Sequence, residues 1–410
     1  MLELKPAAAS RNLVLASGAA RRAGKAAPRT TSSDIPVYEQ EFWTSRQRQA
    51  SPIHEISYRA CFKPQLPAYF ISRLTEEGDV VYDPFSGRGT TAVEAALHGR
   101  SVVANDVNPL SAILTYPRLE LPNVTEIDAR LRSLRFAARP PSGLDLSMFF
   151  HPDTEYELLG LREYLHRRAR SGAEDSADRW IRMVATNRLT GHSPGFFSVY
   201  TLPPNQAVSQ EDQLRINARL KQEPDYRDIR ALILKKTMQL QGRLAAAERW
   251  RLRKAAEDAL LLSKDAGGTA EIPAGSVQLT VTSPPFLDVV QYARDNWLRC
   301  WFNGLDAEAI SGKITMAPEV EEWSGAMAPV FAELYRITRV GGWVAFEVGE
   351  VRRGAVRLEE IVAPVGINAG FSCEAILINA QRFTKTANIW GVANNKLGTN
   401  SNRIVLFRKT

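Results

Sequence analysis

Residues 78–111, GDVVYDPFSGRGTTAVEAALHGRSVVANDVNPLS, constrain the fold more than any other stretch of the chain. VVYD is a short apolar run of strand length, and TTAVEAALHG reads as a helix closed by Gly99. SVVAND is a second buried strand that ends in an acid. Between the first strand and the helix lies a glycine-rich turn, Asp83-Pro84-Phe85-Ser86-Gly87-Arg88-Gly89-Thr90-Thr91. Strand, turn, helix and strand make one β-α-β unit, the start of an α/β fold with a doubly wound, mostly parallel sheet.

The same pattern returns late in the chain. LLLSKDA, SVQLTVTSPPF, RVGGWVAFEVGE, CEAILIN and NRIVLFRK each read as strands, and ELYRIT before Gly341-Gly342 reads as a helix end. Upstream, LPAYFISRL predicts a helix opening near Pro67. From about residue 112 to 262 the character changes. TEIDARLRSLRFA, DTEYELLGLREYLHRRARSG, ADRWIRMVATNRL and the long run YRDIRALILKKTMQLQGRLAAAERWRLRKAAEDALLL are helical in period and rich in arginine. The expected organisation is therefore a basic, disordered tail over 1–36, one half of an α/β domain over 37–111, an inserted helical domain over 112–262, and the second half over 263–410. The tail has the Ala, Ser and Arg content of a chain that cannot bury a core. A transit peptide shares that composition, and so does a basic arm that touches phosphates.

The net charge of +7 favours a polyanionic partner. No apolar run reaches membrane-spanning length, so no membrane role is expected. The three cysteines, Cys61, Cys300 and Cys373, are too scattered for a disulfide framework, and the five histidines have no metal-ligand spacing. No metal is expected, and a reducing, cytoplasmic compartment is.

The glycine turn sits at the carboxyl end of a strand, where open α/β sheets bind ligands. Glycine lets the backbone approach a ligand, and the following helix offers free N–H groups. Asp106, roughly twenty residues on at the end of the next strand, is placed to grip ribose hydroxyls. Together these point to an adenosine-type cofactor. The turn is neither G-x-G-x-x-G, since Thr91 and Ala92 follow Gly89, nor a phosphate loop, since no Gly-Lys-Ser/Thr occurs.

VTSPPF, residues 281–286, ends another strand with a hydroxyl, two rigid rings and an aromatic face. Two prolines stop the ladder abruptly. At the carboxyl end of a parallel strand they open into the same crevice as the glycine turn. Ser283 Oγ and the Pro284 carbonyl are acceptors, Pro285 rigidifies the bend, and Phe286 offers a stacking face. A planar base with an exocyclic amine suits that set, and the acceptors would expose the amine lone pair to an electrophilic methyl group. The plainer reading is a double-proline strand terminator with a capping serine.

DPFSGRGTT together with VTSPPF resembles the amino-methyltransferases that modify DNA from S-adenosylmethionine. FKPQLPAYFI resembles that family's additional cofactor motif, LLLSKDAGG its adenine-contact motif, and ELYRITRVGGWVAFEVGE its later strand and turn. The resemblance implies a seven-stranded class I methyltransferase sheet. It implies that Asp83, Pro84, Phe85, Gly87, Gly89 and Thr90 surround the methionine part of the cofactor, with Lys63 and Pro64 closing that side. Asp106 would hold the ribose and Asp265 the adenine, while Ser283, Pro284, Pro285 and Phe286 hold the target base. The T-S-P-P-F form resembles cytosine-N4 enzymes. Adenine-N6 methylation of DNA is the nearest alternative, RNA methylation a second, and a DNA-binding regulator on an inactive fold a third. Carbon-5 cytosine chemistry needs a cysteine directly after a proline, and none of the three follows one.

In such enzymes a recognition region often separates the two halves, although here the insertion precedes the adenine-contact motif. Its turn-rich loop, RLTGHSPGFFSVYTLPPNQ, carries Arg188, His192, Phe196, Phe197 and Tyr200, which are expected to enter a groove of double-stranded DNA or fill the gap left by a flipped base. The other reading is that the loop's aromatics pack the insertion onto the sheet. Arg167, Arg168, Lys235, Lys236, Arg251 and Arg253 are candidate phosphate contacts. A cognate restriction endonuclease is a possible partner, as in restriction–modification systems. In LDVVQYARDNWLRCWFNG the aromatics fall at helical spacing, which reads as core, with Tyr292 or Asn296 as alternatives for lining the base pocket.

Overall fold

The computed structural model describes residues 29–30, 35–44, 50–58, 61–136, 143–201, 207–285, 292–314, 317, 319–348, 356–380 and 401–410. Among these, nine strands form one sheet. They are β1 (Arg29–Thr30), β2 (Pro36–Gln40), β3 (Val80–Asp83), β4 (Ser101–Asn105), β5 (Leu260–Leu262), β6 (Val277–Thr282), β7 (Thr338–Val348), β8 (Ser372–Ala380) and β9 (Ser401–Arg408). Their order is β1-β2-β8-β9-β7-β6-β3-β4-β5.

The β-α-β unit read from residues 78–111 is present: β3 and β4 pair in parallel, joined through a helix over Thr90–Leu97. Seven strands, β5-β4-β3-β6-β7-β9-β8, make the class I methyltransferase sheet, in which only β9 runs antiparallel to its neighbours β7 and β8. The expectation of seven strands needs correction, because β2 adds in parallel to the free edge of β8 and β1 pairs antiparallel to β2. Asn379 on β8 fixes this addition: its side chain accepts from the backbone N–H groups of Phe42 and Trp43 and donates to the Trp43 carbonyl. Part of the segment expected to be tail, Arg29–Thr30 and Ile35–Pro36, is therefore attached to the sheet; residues 1–28 lie outside the described residues.

β6 is buried at all six positions, as a central parallel strand covered on both faces must be. Neighbouring residues feed opposite faces. Leu279, Val281, Trp343 and Ala345 join one apolar cluster, and Val344, Phe346 and Val348 join the other. The first face is covered by α1 (Gln65–Leu74) and α2 (Thr90–Leu97). Between β4 and β5 come α3 (Leu110–Leu119), α4 (Val124–Ser133), α5 (Pro152–Arg170), α6 (Ser176–Arg188), α7 (Gln210–Leu220), α8 (Ile229–Gln241) and α9 (Ala246–Asp258). All but α7 share the first cluster with the sheet, through Leu114, Ile127, Leu161, Trp180, Ile233 and Leu252. After β6 follow α10 (Tyr292–Asn303) and α11 (Ala307–Ser311), then α12 (Val320–Ile337) and, after β7, α13 (Leu358–Asn368). The last two cover the second face. Among the described residues no helix is long and apolar enough to cross a membrane, and no group of three or more His, Cys, Asp or Glu could hold a metal ion.

Candidate active site

The carboxyl ends of β3, β4, β5 and β6 meet at one end of the sheet. β3 lies between β4 and β6, so the glycine turn after β3 and the Ser-Pro-Pro segment after β6 are next-door neighbours despite the long stretch of chain between them. Two side chains bolt them together. Thr282 Oγ1 donates to Asp83 Oδ1 at 2.6 Å, and Thr91 Oγ1 donates to the Val281 carbonyl at 3.0 Å.

The turn has the backbone that its glycines predict. Gly87 and Gly89 have φ of 52° and 74°, a region costly for other residues. A Cβ at Gly89 would run into the Thr115 side chain of α3. Asp83 is buried, and that desolvation raises its carboxyl to about 7 against the opposing bond from Thr282. Phe85 N–H also donates to it at 3.2 Å. Pro84 is buried and Phe85 half-buried. Thr90 is buried and accepts from Arg88 Nε at 3.2 Å. The Ser86 hydroxyl is buried in this turn without a hydrogen-bond partner.

Asp106 reaches back to the turn. Its Oδ2 accepts from Gly87 N–H at 2.8 Å and its Oδ1 from Asn108 N–H at 3.0 Å. Burial pushes this carboxyl up to about 6, and those two donors work against the rise. Asn105, one residue earlier, laces three loops: its Nδ2 donates to the Pro84 and Lys264 carbonyls, and its Oδ1 accepts from Lys264 N–H. This brings exposed Asp265, whose Oδ1 accepts from Gly267 N–H at 2.6 Å, to the Asp106 side of the crevice. Lys63 and Pro64 form the entry to α1, their carbonyls accepting from Leu66 and Ala68. Burial, then proximity to Arg88, lowers the Lys63 ammonium.

Ser283 hydrogen-bonds the buried carboxyl of Glu347 on β7, which also accepts from Asn402 Nδ2 at 2.9 Å. Desolvation raises the Glu347 carboxyl, and both hydrogen bonds oppose that. A serine that donates its one proton to Glu347 keeps its lone pairs for an incoming amine. Pro284 is buried, and the Pro285 carbonyl accepts from Trp323 Nε1 at 2.9 Å. Phe286, expected to stack on the base, lies outside the described residues.

Several site residues were missed by sequence reasoning. Tyr58 stands over the glycine turn, 3.6 Å from where a Gly87 Cβ would be. Its hydroxyl meets that of Tyr292 at 2.9 Å and accepts from Asn108 Nδ2 at 3.2 Å. Burial raises both phenols, the nearby Asp106 adding to the rise at Tyr58 and Tyr58 itself to that at Tyr292. Arg88 and Arg118 are buried and hold backbone carbonyls. Arg88 Nη1 donates to Ile56 O at 2.8 Å, and Arg118 to Ile53 O and Arg88 O, which seats the Ile53–Tyr58 strip beside the turn. A tyrosine in a loop carries no local signal, but Glu347 does: it is an acid in the apolar strand GGWVAFEV.

The insertion loop departs from expectation. Phe197 is fully buried, with its N–H on the Arg188 carbonyl, and Phe196 is 4% exposed beneath the Arg188 guanidinium. Neither reaches for a groove; both pack inside the helical block because burying two aromatic rings outweighs exposing them. His192 is half-buried beside Phe196, and the half-buried Tyr200 offers its carbonyl to Gln213 and Gln222.

The sequence matches the DNA methylase family of the N6/N4 type over residues 21–111. It is 32% identical over 77 residues to the type II methyltransferase M.MjaII of Methanocaldococcus jannaschii, covering 18% of this chain and 14% of that one. It is 27% identical over 110 residues to the type II methyltransferase M.MvaI of Kocuria varians, covering 26% and 23%. The orphan methyltransferase M.BamHII of Bacillus amyloliquefaciens is 37% identical over 62 residues, covering 15% and 23%. The matched stretches thus span less than a quarter of those relatives. Over residues 21–111 the chain is thus similar to the N6/N4 DNA methylases.

Proposed function

We propose that the chain transfers a methyl group from S-adenosylmethionine to the exocyclic N4 of cytosine in double-stranded DNA. The observation that carries this reading is the Thr282–Asp83 bond of 2.6 Å, which makes the glycine turn and the Ser-Pro-Pro loop adjacent walls of one crevice. The turn fits a cofactor of this kind: its glycines clear the floor and the Ser86 hydroxyl is buried without a partner. Asp83, Phe85, Gly87 and Gly89 would hold the methionine part, with Lys63 and Pro64 at its side, Asp106 the ribose, and Asp265 the adenine. When bound, S-adenosylmethionine supplies an electrophilic methyl on a positively charged sulfur.

The chain's own residues then act on the base. Ser283 Oγ accepts a hydrogen bond from the target amine and draws its lone pair out of conjugation with the ring. Glu347, a carboxylate behind Ser283, holds the hydroxyl in the orientation that leaves its lone pairs outward. The proton lost from nitrogen passes by way of Ser283 toward Glu347, whose raised pKa suits it to accept. The residues contribute chiefly position and exclusion of water rather than covalent catalysis. The helical block over 112–262 serves target recognition.

Purified protein incubated with methyl-labelled S-adenosylmethionine and plasmid DNA tests the reading. Label enters DNA with the wild type and falls at least a hundredfold with Ser283→Ala, the low end of a general acid–base contribution. Label in RNA but not in DNA, or equal transfer by the variant, overturns it.

A further inference from the structure

Residues 55–58 belong to no helix or strand, yet this stretch and the turn before it are pinned by three arginines. Arg118 Nη1 donates to the Ile53 carbonyl at 3.4 Å, Arg88 Nη1 to that of Ile56 at 2.8 Å, and Arg299 Nη2 to that of Ser57 at 3.1 Å. All three arginines are buried. Burying a guanidinium is costly unless its donors are used. Here buried charge holds an irregular strip of backbone in place, and the residue delivered at its end is Tyr58.

Tyr58 touches both residues that hold the Asp106 carboxylate. Asp106 Oδ2 accepts from Gly87 N–H at 2.8 Å and Oδ1 from Asn108 N–H at 3.0 Å. The Tyr58 ring lies 3.6 Å from where a Gly87 Cβ would be. Its hydroxyl accepts from Asn108 Nδ2 at 3.2 Å, while Asn108 Oδ1 accepts from Leu110 N–H at 3.1 Å. The fully buried Asn108 amide is thus fixed at both ends, by Tyr58 and by the first residue of α3.

Tyr58 is itself clamped from α10. Its hydroxyl meets that of Tyr292, the first residue of that helix, at 2.9 Å. Arg299, two turns along, stands 5.7 Å from the centre of the Tyr58 ring. Burial raises both phenols, so both stay protonated. The Tyr58 hydroxyl can therefore accept from Asn108 and still share a proton with Tyr292.

We propose that Tyr58 is a positioning residue for the ribose-binding carboxylate: through Asn108 and Gly87 it holds Asp106 in the orientation that receives ribose hydroxyls, and Tyr292 holds Tyr58. The proposal rests on the reading of Asp106 as the ribose contact. A carboxylate already fixed in its binding orientation loses less freedom when the ligand arrives. Tyr292 makes the cofactor side of the crevice depend on α10, the helix that follows the Ser-Pro-Pro loop.

Calorimetry with S-adenosylhomocysteine and its dideoxyribose analogue, which lacks both ribose hydroxyls, tests it. Tyr58→Phe keeps the ring against Gly87 and removes the acceptor for Asn108. The variant is expected to bind S-adenosylhomocysteine about fivefold more weakly, the worth of one ordinary hydrogen bond. It is expected to bind the dideoxyribose analogue as the wild type does. A residue that only props the fold would weaken both ligands alike. That result overturns the proposal, and so does wild-type affinity for both. Tyr292→Phe should lower affinity for the hydroxylated ligand in the same way. The double variant Tyr58→Phe/Tyr292→Phe should be no weaker than Tyr58→Phe alone, since Tyr292 acts through Tyr58; losses that multiply contradict that chain. Asp106→Ala separates the two claims. If it erases the preference for the hydroxylated ligand while Tyr58→Phe keeps it, the ribose contact stands and the role of Tyr58 falls. If Asp106→Ala leaves the preference intact, the ribose reading falls and the proposal with it.

Discussion

At the level of single residues, the site depends on carboxyl groups held in unlike surroundings. Asp106 is half-buried and carries two backbone donors, which ready it to accept further hydroxyl donors. Asp106→Ala should weaken S-adenosylmethionine binding about tenfold or more in calorimetry, about 1.4 kcal/mol; an unchanged dissociation constant rejects ribose contact. Glu347 must be ionised to receive a proton through Ser283. Turnover of the wild type should therefore rise with pH through the raised pKa of Glu347, and Glu347→Gln should lose that limb while keeping cofactor affinity. A pH profile of the variant parallel to that of the wild type contradicts the role. Asp83 gives a stability signature instead. Its folded pKa, about 7, lies above the ordinary aspartate value, so its contribution is complete below that ordinary value and is lost as pH rises toward 7. Asp83→Asn should flatten the wild type's decline in melting temperature over that window, and a decline as steep as the wild type's would show that Asp83 is not its source. Asp83, Asp106 and Ser283 were legible in the sequence because each follows a recognisable strand at a turn. Tyr58, Arg88 and Arg118 were not, because their partners are backbone carbonyls and hydroxyls brought near only by the completed fold.

At the level of elements, strands were read more securely than helices. Each late apolar run became a strand of the sheet, since continuous burial on both faces leaves a continuous apolar signal. The long helical run over 226–262 is broken at Gly242–Ala245 into α8 and α9, where Gly242 and the capping contact of Glu248 on Ala245 N–H stop and restart the helix. The compositional change at residue 112 falls inside α3, because that helix packs on the sheet with one face and on α6 with another. α7 was missed: its polar surface buries only Gln213, so no apolar stripe marks it. The added strand β2 was also missed, as its pairing depends on Asn379 far away in the chain. Removing residues 1–44 should uncover the β8 edge and the Trp43 contact, lowering the melting temperature and promoting aggregation in light scattering. A truncated protein as stable and monodisperse as the full chain would show that β2 contributes nothing to the sheet.

At the level of the whole molecule, the class I sheet does one thing that no local stretch can do: it sets β3 and β6 side by side, so that two loops separated by the entire helical block face one crevice. The sequence marked each loop and the sheet supplies their juxtaposition. The helical block uses Phe196 and Phe197 as its own core. The most direct measurement is nucleoside mass spectrometry of duplex DNA after incubation with the protein and S-adenosylmethionine. The expected product is N4-methylcytosine, absent when Ser283→Ala replaces the wild type. N6-methyladenine would contradict the choice of base, and 5-methylcytosine or no methylated nucleoside at all would contradict transfer to an amine held between the walls of this crevice.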